Sequence, residues 1–244
     1  MTDRDLAAEV LPGHLRAPER LPGTGRTDLQ LYRCTDTVRG VHVVAKVGRG
    51  AAAESLETEA RALSRLAPHP HVLAVSEVGH RRGQGGERVV WLVVEHAGGG
   101  SLAQRIGAAA PTARAWAAQL AAALDHAHRH GVVHGDVTPP NVLLDDRDAV
   151  LLADFGSAHL VHDADTAGRA AGHFGYTPGL AAPERRRLEP PTPESDVYGL
   201  ASTILMVCGD HHALGAQDRR LLQSCLGDPG RRPGADLLAR RLAG

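Results

Sequence analysis

The sequence has very little cysteine. Cys34, Cys208 and Cys225 are the three thiols in 244 residues. They are too few and too scattered for a disulfide framework, and none has CxxC spacing, so they read as reduced thiols in a cytoplasm. Long apolar runs are also lacking. The longest nearly apolar stretch, Val197 to Cys208, is too short for a bilayer and predicts a buried helix. The charged start Met1-Thr2-Asp3-Arg4-Asp5 has no apolar core behind it and predicts no signal peptide. Nor is there an excess of charge of one sign. Lys plus Arg number 27 and Asp plus Glu 28, for a net charge of −1. That balance argues against a nucleic acid or an acidic membrane as partner. The run Arg185-Arg186-Arg187 reads as solvated surface. The expectation is a soluble, cytoplasmic protein.

The length suffices for one large domain or two small ones. Residues 1–20 carry Pro12, Gly13 and Pro18 and read as an extension or a short helix plus loop. Residues 29–47 alternate like a hairpin turning near Arg39-Gly40. Leu56, Ala60, Leu63 and Leu66 make a helical stripe over 51–66, which Pro68 and Pro70 end. Val72–Val78 and Val89–Val94 read as strands, and Gly98-Gly99-Gly100 as a linker. Beyond it, helices are predicted at 111–130, 194–208, 214–226 and 233–242. Strands therefore precede helices, with a hinge near 95–100, a two-lobed α+β layout.

Chemistry-bearing residues occur in a particular order. His134-Gly135-Asp136-Val137-Thr138-Pro139-Pro140-Asn141 falls on a loop after a helix, and Asp154-Phe155-Gly156 follows the next strand pair. Val44-Ala45-Lys46 ends an earlier strand, and Glu59 lies on the helix after it. Phosphoryl transfer needs this kind of set: a cation for the phosphates, metal ligands, and a carboxylate at the attacking hydroxyl. The order H-x-D-x-x-x-x-N then D-F-G resembles the protein kinases. Val94-Glu95-His96-Ala97 resembles the segment joining their lobes. Thr177-Pro178-Gly179 and Ala182-Pro183-Glu184 resemble the substrate-side loop, and Asp196-Val197-Tyr198-Gly199-Leu200 the central helix of their large lobe. Asp228-Pro229-Gly230-Arg231-Arg232-Pro233 resembles their last turn, where Arg232 would pair with buried Glu184. The likeness spans about residues 21–240 and is to the bacterial eukaryotic-like serine/threonine protein kinases.

That resemblance implies a small antiparallel-sheet lobe with one helix over 21–97, after an extension at 1–20, and a mainly helical lobe over 98–244. It implies ATP and Mg2+ as cofactors and a protein substrate with a Ser or Thr hydroxyl. It assigns catalysis to Asp136, with Lys46 paired to Glu59, and metal binding to Asn141 and Asp154. The nucleotide set it implies is Gly23, Gly25, Val44, Lys46, Leu143 and the backbone of Glu95 and Ala97.

The sequence also departs from the family. Gly23-Thr24-Gly25 lacks the third glycine of the phosphate loop and stands one residue out of register from Lys46. Val44 stands where Ala is usual. Gly135 replaces the Arg that binds an activation-loop phosphate, which predicts activity independent of such phosphorylation. Thr138 replaces the Lys that steadies the γ-phosphate. The chain is short from Gly209 to Leu221, a minimal large lobe that leaves room for a regulatory protein partner. His126, His128 and His130 lie close together, but a zinc site would want further ligands, and the resemblance implies a His-rich helix end here, so they are not read as zinc ligands; His134 reads as a packing residue of the catalytic loop. Three readings follow: an active kinase; a pseudokinase or nucleotide-binding scaffold; and, on the His134-Gly135-Asp136 loop, a small-molecule phosphotransferase. Asp154-Phe155-Gly156 and Ala182-Pro183-Glu184 weigh against the third.

Overall fold

A computed structural model describes residues 7–22, 27–83, 85–161, 177–210 and 212–244. The chain divides into two compact units, 1–67 with 73–96, and 68–72 with 97–244.

The first unit is an antiparallel sheet of five strands: β1 (Leu15–Arg20), β2 (Leu29–Asp36), β3 (Val41–Arg49), β4 (Val75–Arg82) and β5 (Arg88–Glu95). Their order is β1-β2-β3-β5-β4, so β1 and β4 are edges. Alternation sorts the β3 side chains. Val43, Ala45 and Val47 join Tyr32, Cys34, Val89, Trp91 and Val93 in one core, together with Ala7 and Val10 of α1 (Ala7–Val10). Val44 and Lys46 therefore point to the other face. There α2 (Ala51–Leu66) buries Leu56, Leu63 and Leu66, as its stripe predicts. The helix stops at Ala67, whose extended backbone suits the residue before Pro68.

Two expectations change here. Segment 1–20 is more than an extension, because β1 extends the sheet and Leu15 is buried. The strand expected at 72–78 begins at Val75. The chain before it is captured elsewhere: the Leu152 N–H donates to the His71 carbonyl at 2.9 Å, and Val72 bridges to Leu152.

The second unit is mainly helical. Among the described residues its helices are α3 (Ala110–Arg129), α4 (Pro183–Arg186), α5 (Pro193–Val207), α6 (Ala216–Ser224) and α7 (Ala235–Ala243). Along α3, Ala113, Ala117, Leu120, Ala121, Leu124 and Ala127 are fully buried. The small residues let α7 and α5 approach, and each buried leucine contributes roughly 1.5–3 kcal/mol. Helix α5 starts with a reciprocal cap: the Ser195 N–H donates to Thr192 Oγ1 and the Thr192 N–H to Ser195 Oγ. Short strands complete the unit: β6 (Gly100–Ser101), β8 (Val142–Leu144) and β9 (Val150–Leu152) form one sheet, and β7 (Val132–Val133) pairs with β10 (His159–Leu160). The glycine run at 98–100 is more than a spacer. The Gly99 N–H donates to the Leu144 carbonyl at 2.9 Å, and a Cβ at Gly99 would meet the Asp145 carbonyl at 2.5 Å.

The segment after α5 is brief. Val207 accepts from the Gly107 and Ala108 N–H groups, Gly209 donates to Ala108, and α6 begins at Ala216. Of the arginine run expected on the surface, Arg185 is buried and donates to the Glu189 carbonyl; Arg186 and Arg187 are exposed.

Candidate active site

In the sheet unit, register fixes Lys46 between Leu31 of β2 and Leu92 of β5. Its Nζ lies 2.6 Å from Glu59 Oε1. Glu59 is buried on α2, so the carboxylate needs a cationic partner there. Asp28 holds the start of that helix: its Oδ2 accepts from the Ala52 N–H at 3.2 Å, an acidic group at a helix N-terminus. The sequence reading missed Asp28, whose signal was only an acidic residue before a strand. Val44 lies on the Lys46 face of β3. Glu95 ends β5, where its Oε1 accepts from the Ala74 N–H at 2.7 Å. Gly23 and Gly25 lie outside the described residues.

In the helical unit, the loop from His134 to Asn141 rests on one face of α5. Asp196 is buried there. Its Oδ2 accepts from the His134 N–H at 2.8 Å, and its Oδ1 from the Gly135 N–H at 2.8 Å. His128 Nε2 lies 2.9 Å from the same Oδ2. One turn on, Gly199 lets the loop come close, since a Cβ would meet the Val137 carbonyl at 2.9 Å. Two turns on, Thr203 Oγ1 donates to that carbonyl at 3.2 Å. Positions 196, 199 and 203 thus form one stripe of the helix.

The His134 ring is fixed by two bonds. The Asp136 N–H donates to its Nδ1 at 3.2 Å, so the proton sits on Nε2, 2.8 Å from the Ala153 carbonyl. Its edge packs on Phe155, with centroids 4.7 Å apart. His134 is therefore a buried packing group. Gly135 has φ of 83°, and a Cβ there would meet the Ser157 carbonyl at 2.8 Å. Both facts favour glycine at this position.

The Asp136 carboxylate is half-buried and oriented by three donors. Thr177 gives Oδ1 its N–H at 2.8 Å and Oδ2 its hydroxyl at 3.2 Å. Asn141 Nδ2 reaches Oδ2 at 3.1 Å and the Asp136 carbonyl at 2.9 Å. The structure thus brings Asp136, Asn141 and Thr177 together. The partner role of Thr177 was missed, although its Thr-Pro-Gly turn had been singled out. The Ala153 N–H donates to the Asn141 carbonyl at 2.9 Å, which ties the loop to the segment holding Asp154. Asp154 is exposed and left-handed, with φ 61° and ψ 66°, a conformation that Asp tolerates. Leu143 is half-buried on β8, and Ala97 begins the longer of this unit's two segments.

Farther along, Arg232 and Glu184 form the buried pair expected from the sequence. Arg232 Nη1 donates to Glu184 Oε1, and Nη2 lies 3.1 Å from Oε2. Burial alone would raise the Glu184 carboxyl, but the Arg232 hydrogen bond and charge outweigh it and hold the group below the usual carboxylate value. The guanidinium also stacks over Tyr198 at 5.0 Å.

The family model for the protein kinase domain matches residues 22–226. The chain belongs to the protein kinase domain family. It is similar to CBL-interacting protein kinase 22 of Oryza sativa subsp. japonica, 37% identical over 188 residues, covering 67% of this chain and 39% of that one. It is similar to the serine/threonine-protein kinase PknK of Mycobacterium tuberculosis strain CDC 1551, 34% identical over 191 residues, with 75% and 17% covered. It is also 33% identical over 215 residues to the DNA damage-responsive serine/threonine-protein kinase RqkA of Deinococcus radiodurans, with 82% and 31% covered. The kinase chain thus spans well under half the length of these relatives. Its two units are the sheet lobe with one long helix and the helical lobe of the kinase fold. No helix among the described residues is long and apolar enough to cross a membrane.

Proposed function

We propose that this chain transfers the γ-phosphoryl group of ATP to Ser or Thr hydroxyls of protein substrates. The state of the Asp136 carboxylate carries this reading. A carboxylate has about four acceptor positions. Thr177 and Asn141 take two on Oδ2 and one on Oδ1. One position on Oδ1 remains for a substrate hydroxyl. A hydroxyl donating there is oriented for attack on the γ-phosphorus. The new O–P bond forms as the bond to the β–γ bridging oxygen breaks, ADP departs, and the hydroxyl proton passes to Asp136.

Lys46, braced by Glu59, offers a fixed cation to the phosphates. Asn141 turns its Nδ2 to Asp136, which leaves Oδ1 for a cation. With the Asp154 carboxylate it makes an all-oxygen donor pair, the chemistry that suits magnesium. These two residues would hold the ion, which when bound neutralises phosphate charge. Val44, Leu143 and the backbone of Glu95 and Ala97 would receive adenine, with Gly23 and Gly25 near the phosphates. The lobes would divide near residue 97. A bacterial cytoplasm is the proposed setting. It suits three free, buried cysteines, of which burial pushes the Cys225 thiol up to about 12. The test is incubation with γ-labelled ATP and a protein acceptor. Label on Ser or Thr supports the reading; label on small hydroxylated acceptors alone refutes it.

Activity is proposed to need no activation-loop phosphate, because Gly135 has no side chain to bind one and its backbone disfavours any. Phosphatase treatment should leave the rate unchanged. Loss of activity restored by rephosphorylation would refute this. A pseudokinase reading has one observation in its favour. Thr138, where the family carries a cation, is buried and spends its carbonyl on the Asn141 N–H at 3.0 Å. A thermal shift with Mg-ATP but no transfer would favour that reading.

A further inference from the structure

The three arginines at 185–187 have different surroundings. Arg185 is buried and donates to the Glu189 carbonyl. Arg187 is exposed and pairs with the Glu189 carboxylate at 2.9 Å. Arg186 is exposed as well, but its Nε donates to the Ala181 carbonyl at 2.9 Å. Among the described residues no carboxylate pairs with Arg186. The nearby carboxylates are taken, Glu184 by Arg232 and Glu189 by Arg187. A surface arginine is most often a solvated side chain. Arg186 differs in being anchored: the bond to Ala181 spends Nε, orients the guanidinium and leaves both Nη groups as donors suited to a carboxylate.

The anchor is the loop that reaches Asp136. The Ala181 N–H donates to the Thr177 carbonyl at 3.2 Å, which closes a helix-like turn. The Thr177 N–H donates to Asp136 Oδ1 at 2.8 Å. Residues four apart on such a turn are separated by about 5–6 Å. With a hydrogen bond of about 3 Å at each end, the guanidinium stands on the order of 10 Å from the Asp136 carboxylate. An extended peptide advances about 3.3 Å per residue. A substrate whose hydroxyl meets Asp136 therefore brings a side chain roughly two to four positions away within reach of Arg186. Buried Arg185 lines one hollow with Asp136, Thr138, Leu180 and Ala181, so a second positive charge backs this loop.

We propose that Arg186 is a specificity-determining residue, selecting protein substrates with Asp or Glu roughly two to four positions from the phosphorylated Ser or Thr. The inference rests on the kinase reading above. The acidic side chain accepts from the Arg186 Nη groups while the hydroxyl donates to Asp136. The contact is exposed to solvent, so it has the strength of a surface ion pair and weakens with salt.

The test uses the full chain, γ-labelled ATP and three synthetic peptides with one Ser each. They carry Asp, Ala or Lys at those positions on both sides of the Ser. For wild type, kcat/KM for the Asp peptide should exceed that for the Ala peptide by about fivefold, mainly through KM, with the Lys peptide poorest. Arg186→Ala should bring the Asp-to-Ala ratio close to one, and Arg186→Lys should keep most of it. Arg186→Glu should reverse the preference toward the Lys peptide, a change that a purely structural role would not produce. Arg187→Ala should keep the wild-type ratio. Arg186 is exposed, so its variants should melt with wild type, and the Ala and Lys variants decide the matter should the Glu variant melt early. Equal use of the Asp and Lys peptides by wild type would overturn the proposal. So would an unaltered ratio in Arg186→Ala, or an equal loss in Arg187→Ala. Label on all three peptides without preference sinks this inference alone; label on none sinks the kinase reading and this inference with it.

Discussion

In the sheet lobe, Lys46 is placed by strand register, and its ammonium group meets Glu59 on a helix that packs over the same face. In the helical lobe, Asp136 is placed by side chains that reach across the chain. Asp196 holds the backbone before it, Thr203 the backbone after it, and Thr177 and Asn141 the carboxylate itself. The first arrangement comes almost free with a β-sheet, because neighbouring strands fix every position at once. The second depends on buried polar groups that each need a partner. Removing the buried groups that position Asp136 should therefore show first as lost stability, and removing the Glu59 charge that braces Lys46 first as lost activity.

The largest effect is expected at the Glu184–Arg232 pair. Arg232→Met should cost about 3–5 kcal/mol in urea unfolding, because it leaves a buried carboxylate alone. Glu184 titrates below its ordinary 4.5 in the folded state. The stability it contributes is full above about 4.5 and is lost as pH falls through the lower folded value. Wild type and variant should therefore converge in stability toward acid. A cost under about 1 kcal/mol would mean that the pair is dispensable. Next is Asp196→Ala, which strands the His134 and Gly135 N–H groups in a dry site. A loss of about 3 kcal/mol is expected; a neutral result would erase the contrast between the lobes.

Glu59→Gln should behave in the opposite way. An amide still accepts from Lys46, so stability should fall by only about 1 kcal/mol. Phosphoryl transfer should drop by about a hundredfold, because the fixed charge is gone. Unfolding without a change in rate would reverse the comparison. The smallest effect is at His69, in the short segment 68–72. Its ring stacks on His126 at 4.4 Å, and the His126 ring lies 4.2 Å from that of His130. Burial, then the neighbours His126, His71 and His130, pushes His69 from 6.5 down to about 4. A depressed histidine favours folding above its unfolded value. Stability should therefore fall modestly as pH drops from about 6.5 toward 4, and His69→Gln should flatten that slope.

Much of this was legible in the sequence, for uneven reasons. The stripe Leu56, Ala60, Leu63 and Leu66 announced α2 because a helix buries one face. The Arg232–Glu184 pair and the Lys46–Glu59 pair followed from motif order. What stayed hidden was tertiary. Segment 15–20 joined the sheet although Pro18 masked its strand character, and the strand expected from Val72 started later because β9 claims the His71 carbonyl. Arg185 looked like surface in an arginine run, yet the loop before α5 buries it. Thr177 could not be assigned to Asp136, because 41 residues separate them and only the fold closes that distance.

The most direct test of the account is Asp136→Asn in a γ-labelled ATP transfer assay, run beside wild type at saturating nucleotide. The amide keeps the shape and the Thr177 contact but cannot take a proton. The account predicts wild-type melting and nucleotide affinity, with transfer reduced by about a hundredfold or more. Equal labelling by wild type and variant would contradict it.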